Sequence, residues 1–214
     1  IACFNYVVMM KNRGVNIRVS SNSWGAPRDT SQPFPQAFKD AIDAAGNAGI
    51  VNVFAAGNGD ANGNGLNNDV TPFDPATFTS SSIVSVAASD SSDNRANFSN
   101  YGQTSVDLAA PGVSIASTYR LGSPYNGYAY LSGTSMATPH VAGTAALLFA
   151  QKPTLTVAEA KALLLNNVDH LAQWNGVVAS GGRLNVFGAA LTNSDNTPPT
   201  VSITAPANNA SVTV

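Results

Sequence analysis

The sequence predicts an α/β fold with a mostly parallel β-sheet, and three observations lead to this prediction. Short apolar runs typical of buried strands recur along the chain. Longer segments with apolar residues at helical spacing lie between them. The chain has 214 residues, which suits one domain with a sizeable core. Because strands that alternate with helices favour βαβ units, we expect parallel strands joined by helical crossovers.

Local signals set the limits of each predicted element. The predicted helices cover residues 1–13, 33–48, 136–151 and 157–166, and the first of them is followed by Gly14 as a stop signal. The predicted buried strands run from Val15 to Ser20 and over residues 51–56, 83–88 and 106–110. Residues 114–119 and 128–131 flank a turn-rich stretch and are expected to form a hairpin.

The first predicted helix carries the only cysteine of the chain. Ala2, Tyr6, Met9 and Met10 fall near one face of this helix. Cys3 lies on an apolar helix face, so we expect a buried small hydrophobe there and not a reactive thiol. A single cysteine excludes an intrachain disulfide and any multi-cysteine metal site.

Composition excludes two classes of partner. Charged residues make up only 10% of the chain and the formal net charge is −2, so we expect no nucleic-acid partner. The densest apolar run, residues 141–150, is far shorter than the ~18–20 residues that span a bilayer, so we expect no membrane segment.

Both ends of the chain suggest that it is part of something longer. No capping residue precedes Ile1, so the first helix is expected to begin upstream. Residues 192–199 end in a proline pair and read as a linker. Residues 200–204 alternate with period two and a turn signal follows them, so residues 200–214 are expected to be the start, with the first strand, of a truncated β-sandwich module of immunoglobulin-like type.

The segment from Ser132 to Gly143 carries the strongest chemical signal. Ser135 follows a Gly–Thr pair and directly precedes the apolar helix predicted over residues 136–151. A tight turn there would expose the hydroxyl, and the helix start offers N–H groups and a positive dipole end to an oxyanion. Such a site suits acyl transfer by a serine nucleophile. An ordinary serine at a helix N-terminus is an equally open interpretation of the spacing.

Two strand ends carry weaker signals. Asn58 follows a predicted strand, and polar residues after a parallel strand lie where active sites form in α/β sheets. Its side-chain NH₂ can donate to a developing oxyanion, although a turn-forming asparagine after glycine is the commoner explanation. In Asn22-Ser-Trp-Gly25, the glycine permits close backbone approach, so an extended substrate can pair there as an added strand. By itself, this segment is a strand end with a buried tryptophan.

Together these segments resemble the subtilisin-like serine peptidases, or subtilases. The nucleophile motif is Gly133-Thr-Ser-Met-Ala-Thr-Pro-His-Val-Ala-Gly143, the oxyanion block is Ala55-Ala-Gly-Asn58, and a further block is Ala109-Ala-Pro-Gly112. The resemblance implies that residues 1–191 form part of a parallel-sheet catalytic domain, truncated on its N-terminal side. It also implies that the protein is a secreted endopeptidase acting on peptide or protein substrates.

The resemblance implies a role for individual residues. Ser135 is the nucleophile, and Asn58 donates to the oxyanion beside the backbone N–H of Ser135. The substrate-binding residues form two walls: Ser23, Trp24 and Gly25 in one, and Ala55, Ala56 and Gly57 in the other. Because both walls are neutral and apolar, we expect a hydrophobic or broad side-chain preference, with Phe73 near the base of the pocket.

The triad of this family runs Asp, His, Ser along the chain, and its first two members lie upstream of the matching part. The sequence has two histidines. His140 lies five residues after Ser135 on one helix and so points away from it, and His170 is expected to be a surface residue. We therefore expect impaired peptidase activity. Two alternatives stay open: a serine esterase with an unrelated base, and an inactive fragment that acts as a binding or assembly module.

The remaining expectations concern ions and association. No cofactor is required and no metal ligand is assigned. A structural calcium ion in the loop over residues 59–69 is possible in this family, although a solvated turn-rich loop is favoured. The strand from Val15 to Ser20 is expected to be an uncovered sheet edge. We expect it to pair with a second copy of the chain or with the missing N-terminal segment.

Overall fold

The computed structural model describes residues 1–120 and 127–191. The linker predicted over residues 192–199 and the sandwich strand predicted over residues 200–214 lie outside the described residues. The helices are α1 (Ala2–Asn12), α2 (Gln36–Asn47), α3 (Thr134–Gln151), α4 (Val157–Asn166) and α5 (Val186–Leu191). None of the helices in the described ranges is long and apolar enough to cross a membrane.

The strands follow the predicted order, with several short additions. They are β1 (Val19–Asn22), β2 (Ala26–Pro27), β3 (Val51–Ala55), β4 (Phe73–Asp74), β5 (Ile83–Ser89), β6 (Leu108–Pro111), β7 (Ile115–Tyr119), β8 (Gly127–Leu131), β9 (Asp169–His170) and β10 (Gly182–Arg183). The antiparallel pair β7–β8 confirms the predicted hairpin. β2 and β4 form a second small antiparallel pair.

The main sheet has six strands in the order β1-β3-β5-β6-β10-β9. All neighbouring pairs are parallel except β10–β9. This confirms the predicted α/β fold with a mainly parallel sheet. The carboxyl ends of β1 and β3 therefore meet at one edge of the sheet, which is where the candidate site lies.

The sheet separates two apolar clusters, and β3 contributes to both. Val51 and Val53 point into the cluster that includes buried side chains of α3 and α4. Phe54 points to the opposite face, into the cluster with Phe4 of α1 and Ile42 of α2. Every residue of β3 is buried, which explains why its sequence is an unbroken apolar run except for Asn52.

The prediction that Cys3 of the first helix is buried was wrong. The buried residue of α1 is Phe4, whose ring centroid lies 6.2 Å from that of Phe38 and 6.3 Å from that of Phe54. Because α1 packs through Phe4, the neighbouring Cys3 is exposed and not buried as expected. The face that carries the other four residues named from the sequence is mostly exposed as well: Ala2, Tyr6 and Met9 are exposed and Met10 is half-buried.

The first strand lies later in the chain than predicted. The segment before Val19 is held by α1, since Lys11 Nζ donates to the Ile17 carbonyl oxygen at 2.6 Å. The strand instead continues through Ser21 and Asn22, which pair with Val53 and Phe54 of β3. Backbone pairing with β3 thus outweighs the weak strand propensity of these polar residues. β1 is an edge strand of the described sheet.

Candidate active site

Three chain segments meet at the carboxyl edge of the sheet. The chain leaves β1 at Asn22 and continues through Ser23 and Trp24, and it leaves β3 at Ala55 and continues to Asn58. The N-terminus of α3 lies against both of these strand ends, since Ser135 is hydrogen-bonded to Ser23 and Thr134 to Asn58. The structure therefore brings together the three motifs that the sequence singled out.

Ser135 is the second residue of α3 and is half-buried. The backbone N–H groups of a first helical turn have no partner within the helix, and here Met136 N is bonded to Gly133 O at 3.0 Å. Within the described residues, no bond is found for the Ser135 N–H. This N–H is therefore free to donate to an incoming oxyanion, and the helix dipole favours negative charge at the same point.

Asn58 is bound to the residue before Ser135. Its Oδ1 accepts from the Thr134 backbone N–H at 2.8 Å and from Thr134 Oγ1 at 2.9 Å. Since a backbone N–H can only donate, the atom that faces it must be the amide oxygen, and Nδ2 must point the other way. Thr134 Oγ1 also accepts from Gly57 N at 3.2 Å. The amide of Asn58 is thus held with its NH₂ away from Thr134 and available as a donor.

Thr134 is a residue of the candidate site that was not predicted from the sequence. It lies in the turn before Ser135, and its backbone and hydroxyl fix the Asn58 amide. Thr134 is itself fully buried. Its place between Gly133 and Ser135 was the available signal, because the first residue of a helix has an unpaired N–H to offer.

Ser135 and Ser23 exchange hydrogen bonds. Ser23 Oγ donates to the Ser135 carbonyl oxygen at 2.8 Å, and Ser135 Oγ donates to the Ser23 carbonyl oxygen at 3.3 Å. These bonds tie the segment after β1 to the start of α3. The Ser135 hydroxyl therefore donates its hydrogen bond to a carbonyl oxygen, and a carbonyl oxygen cannot act as a general base.

Neither histidine is placed to serve Ser135. The Nδ1 atom of His140 lies 2.9 Å from the Met136 carbonyl oxygen, one turn back along α3, and the residue is exposed. His170 is exposed in β9, at the opposite edge of the main sheet from β1. Both positions agree with the expectation that neither residue is the base.

The two expected substrate walls differ in exposure. Ser23, Trp24 and Gly25 are exposed, whereas Ala55, Ala56 and Gly57 are buried. Trp24 is 48% exposed and not buried as the sequence suggested. Its ring stacks on Phe38 with centroids 5.9 Å apart and meets the Phe54 ring edge-to-face at 5.6 Å, so two aromatic neighbours fix it while part of it stays open to solvent.

Phe73 lies between the two walls. A Cβ atom on Gly57 would sit 2.9 Å from Phe73 Cδ2, and one on Gly25 would collide with Phe73 Cε1. The close backbone approach expected of Gly25 is therefore made to the Phe73 ring. The half-buried ring gives the space between the walls an apolar floor.

The carboxylates in the loop considered for calcium accept several hydrogen bonds from the protein. Asp60 Oδ1 accepts from the backbone N–H groups of Asn62 and Asn64 at 2.9 and 3.0 Å. Asp69 accepts from the N–H and hydroxyl of Thr104 and from Ser105 N. In the described part of the chain, no group of three or more His, Cys, Asp or Glu is arranged to hold a metal ion. The carboxylates thus accept hydrogen bonds from within the loop and from Thr104 and Ser105, and the calcium expectation stays a prediction.

The contacts of Asp69 also determine its ionisation. Partial burial raises the pKa of this carboxyl, but the hydrogen bonds from Ser105 and Thr104 lower it by more. The net result is a pKa below the ordinary value of 3.8. The charged form of Asp69 is therefore favoured in the folded chain.

Comparison with known proteins identifies the family. A family model described as the subtilase family matches residues 6–209. Subtilisin DY of Bacillus licheniformis is 41% identical over 154 residues, which cover 72% of this chain and 52% of that protein. Thermitase of Thermoactinomyces vulgaris is 42% identical over 152 residues, which cover 71% of this chain and 48% of that protein. The chain thus spans about half the length of these curated relatives.

A solved structure supports the same conclusion for the fold. The structure of a protease from Pseudoalteromonas arctica PAMC 21717 matches with a TM-score of 0.67 and 31% identity, over 83% of this chain and 51% of that one. The family match extends over most of the chain and includes all three site segments. The chain belongs to the subtilase family of serine peptidases.

Proposed function

We propose that this chain carries the acyl-transfer half of a subtilisin-type serine endopeptidase, with Ser135 as nucleophile. The observation that supports this most strongly is the fixed amide of Asn58. Thr134 holds its oxygen at 2.8 Å and so directs its NH₂ outward, next to the N-terminus of the helix that carries Ser135. A side-chain donor and a free helix N–H beside one hydroxyl form the arrangement that acyl transfer requires.

The proposed reaction has two steps. Ser135 Oγ attacks the carbonyl carbon of the substrate, and the carbonyl oxygen becomes an oxyanion that accepts from Asn58 Nδ2 and from the Ser135 N–H. Collapse of this intermediate breaks the bond to the leaving group and leaves an acyl-enzyme. Water then hydrolyses the ester. In a complete triad, a histidine takes the Ser135 proton and passes it to the leaving amine.

We propose that the 214-residue chain by itself is impaired in this reaction. The Ser135 hydroxyl donates to Ser23 O, and His140 and His170 are both placed away from it. In subtilisin, a member of this family, loss of the triad costs about 2 × 10⁶ in kcat, and roughly 10³–10⁴ over water remains from the oxyanion hole and binding. An amine leaving group needs protonation, but an activated ester does not. We therefore expect slow reaction with esters and little cleavage of peptides.

The proposed substrate is an extended peptide or protein. It would lie beside Trp24 and Gly25, which are exposed next to Ser135. A hydrophobic or broad preference follows from the apolar ring of Phe73 between Gly25 and Gly57. A secreted protein is the proposed setting, in keeping with the family and with a polar surface of low charge.

We also propose association through the free edge of β1. This strand ends the described sheet, and its outer backbone groups can pair with another strand. The partner would be a second copy of the chain or an N-terminal segment of the same protein. Sedimentation over a concentration series tests the first case, and a strictly monomeric chain at high concentration would contradict it.

The experiment for the main proposal compares two substrates. The purified chain is assayed on casein and on p-nitrophenyl acetate, with Ser135→Ala as the matched control. We expect slow ester turnover that Ser135→Ala abolishes, and little release of peptides from casein. Brisk casein cleavage blocked by Ser135→Ala would show that the chain does contain a working base.

A further inference from the structure

A buried asparagine from a different part of the chain holds the backbone on both sides of Asn58. Asn100 is 1% exposed and lies between β5 and β6. Its backbone N–H donates to Gly57 O at 3.0 Å. Its side-chain Oδ1 accepts from Gly59 N at 2.9 Å. The residues immediately before and after the proposed oxyanion donor are thus bound to the same asparagine.

The orientation of the Asn100 side chain is unambiguous. Oδ1 accepts a second backbone N–H, from Leu66 at 2.9 Å, and two backbone donors can only face the amide oxygen. Nδ2 therefore points the other way, and it donates to Asn68 Oδ1 at 2.9 Å. Asn68 Nδ2 in turn donates to Ala56 O at 2.8 Å. The two amides form a chain of hydrogen bonds that reaches from Ala56 to Leu66.

The backbone segment held by the amides of Asn68 and Asn100 has an unusual conformation. Gly57 has a φ of 109° and Gly59 a φ of 79°, both in the left-handed region that favours glycine. Two flexible residues flank Asn58, so its position needs outside support. A Cβ on Gly57 would lie 2.5 Å from Asn100 Nδ2, which shows how closely the two segments pack.

We propose that Asn100 is a positioning residue for Asn58. It touches no reacting atom and acts by fixing Gly57 and Gly59, while Thr134 fixes the Asn58 amide itself. The inference rests on the proposed role of Asn58 as oxyanion donor. Without Asn100, the Asn58 NH₂ shifts away from the place where the oxyanion forms.

The kinetic test measures acylation of the chain by p-nitrophenyl acetate in four variants: Asn100→Ala, Asn58→Asp, the double variant and Asn52→Ala. The last is the matched control, because Asn52 is fully buried and its side chain bonds to Ser20 and Ser82, whereas none of its side-chain hydrogen bonds reaches Gly57, Asn58 or Gly59. We expect Asn100→Ala to slow acylation by ~10- to 100-fold, since a small misplacement of a catalytic group has effects of this size. We expect the double variant to be no slower than Asn58→Asp, and Asn52→Ala to stay near the unaltered rate.

A second readout does not depend on activity. Side-chain amide NMR signals of Asn58 and hydrogen exchange at the Gly59 and Leu66 N–H groups are compared in Asn100→Ala and Asn52→Ala. We expect a shifted Asn58 signal and faster exchange in Asn100→Ala only.

The outcomes separate the two proposals. If Asn58→Asp slows acylation and Asn100→Ala behaves like Asn52→Ala, the positioning role is overturned and the proposed function stands. If Asn58→Asp does not change the acylation rate, the proposed oxyanion role of Asn58 fails. The NMR comparison then still shows whether Asn100 positions Asn58. Unchanged Asn58 signals and unchanged exchange in Asn100→Ala would overturn that placement whatever the kinetics.

Discussion

Ser135 and Ser23 are bonded to each other in both directions, at 2.8 Å from Ser23 Oγ to Ser135 O and at 3.3 Å from Ser135 Oγ to Ser23 O. Ser135, the proposed nucleophile, is therefore fixed against the segment proposed to bind the substrate, but its hydroxyl proton faces a carbonyl oxygen. Positioning of the hydroxyl and removal of its proton are separate requirements, and the described residues meet the first only.

Among the described residues, no histidine is placed to take the Ser135 proton, and this predicts the pH dependence of ester hydrolysis. The rate is expected to rise steadily with pH from about 5 to 9, because proton loss from Ser135 then depends on solvent. A histidine base would instead give a sigmoid with a midpoint near the usual histidine pKa of about 6.5. The measurement is the Ser135-dependent rate of p-nitrophenyl acetate hydrolysis as a function of pH.

The matched controls for this profile are His140→Ala and His170→Ala. Both variants are expected to keep the rate and the shape of the profile, since neither ring contacts Ser135. A sigmoid that one of these substitutions abolishes would identify that histidine as the base.

Asn58→Asp tests the proposed oxyanion donor. The aspartate keeps an oxygen for Thr134 N and Oγ1 but has no NH₂ and adds negative charge beside the developing oxyanion. We expect ester acylation to slow by at least about 10²-fold, the lower end of the loss for the corresponding donor in subtilisin, which belongs to this family. Thermal unfolding of the same variant is the control for folding, and an unchanged acylation rate would refute the role of Asn58.

Gly57→Ala tests the packing of the loop before Asn58. The new Cβ would lie 2.5 Å from Asn100 Nδ2 and 2.9 Å from Phe73 Cδ2, at a φ of 109°. We expect a loss of at least ~2 kcal/mol in the free energy of unfolding. Gly143→Ala in α3 is the matched control. A Cβ there has no neighbour within 4 Å in the described chain, and alanine is expected to stabilise the helix by ~0.5–1 kcal/mol. Equal effects of the two substitutions in urea unfolding would contradict this account.

Asp69→Asn is expected to destabilise the chain in a pH-dependent way. The pKa of Asp69 is lowered in the folded state, so its contribution to stability is present above the ordinary value of 3.8 and is lost as pH falls through the folded pKa. The difference in Tm between the unaltered chain and Asp69→Asn should therefore be largest near neutral pH and shrink below pH ~4. A difference that is constant from neutral to strongly acidic pH would show that the charge has no part in the effect.

Much of the fold follows from local sequence patterns. β3 and β5 are buried on both faces and so are mostly apolar, and α4 begins at a Thr156–Glu159 capping box that the sequence displays. The two-residue strands β9 and β10 were not predicted, because such short strands are defined by their partners and not by their own residues. The orientation of α1 was likewise set by contacts with α2, which no local pattern reveals.

In the candidate site, too, some residues are recognisable from local sequence and others depend on distant contacts. Ser135 and Asn58 belong to recognisable motifs, and the fold brings both to one edge of the sheet. The distant partners of the supporting residues were not predictable from the local segments. Thr134 acts through a hydrogen bond to a residue 76 positions away, and Asn100 through one to a residue 41 positions away. Such long-range contacts leave no periodicity in the sequence.

The proposal that Ser135 is the nucleophile is tested most directly by finding which residue p-nitrophenyl acetate acetylates. The purified chain is treated with the ester, digested after brief reaction, and analysed by tandem mass spectrometry beside Ser135→Ala and Asn58→Asp. We expect Ser135 to be the first residue acetylated, Ser135→Ala to give no fast adduct, and Asn58→Asp to be acetylated at Ser135 much more slowly. Equal rates of adduct formation in all three proteins, spread over surface residues, would contradict an acyl-transfer site at Ser135.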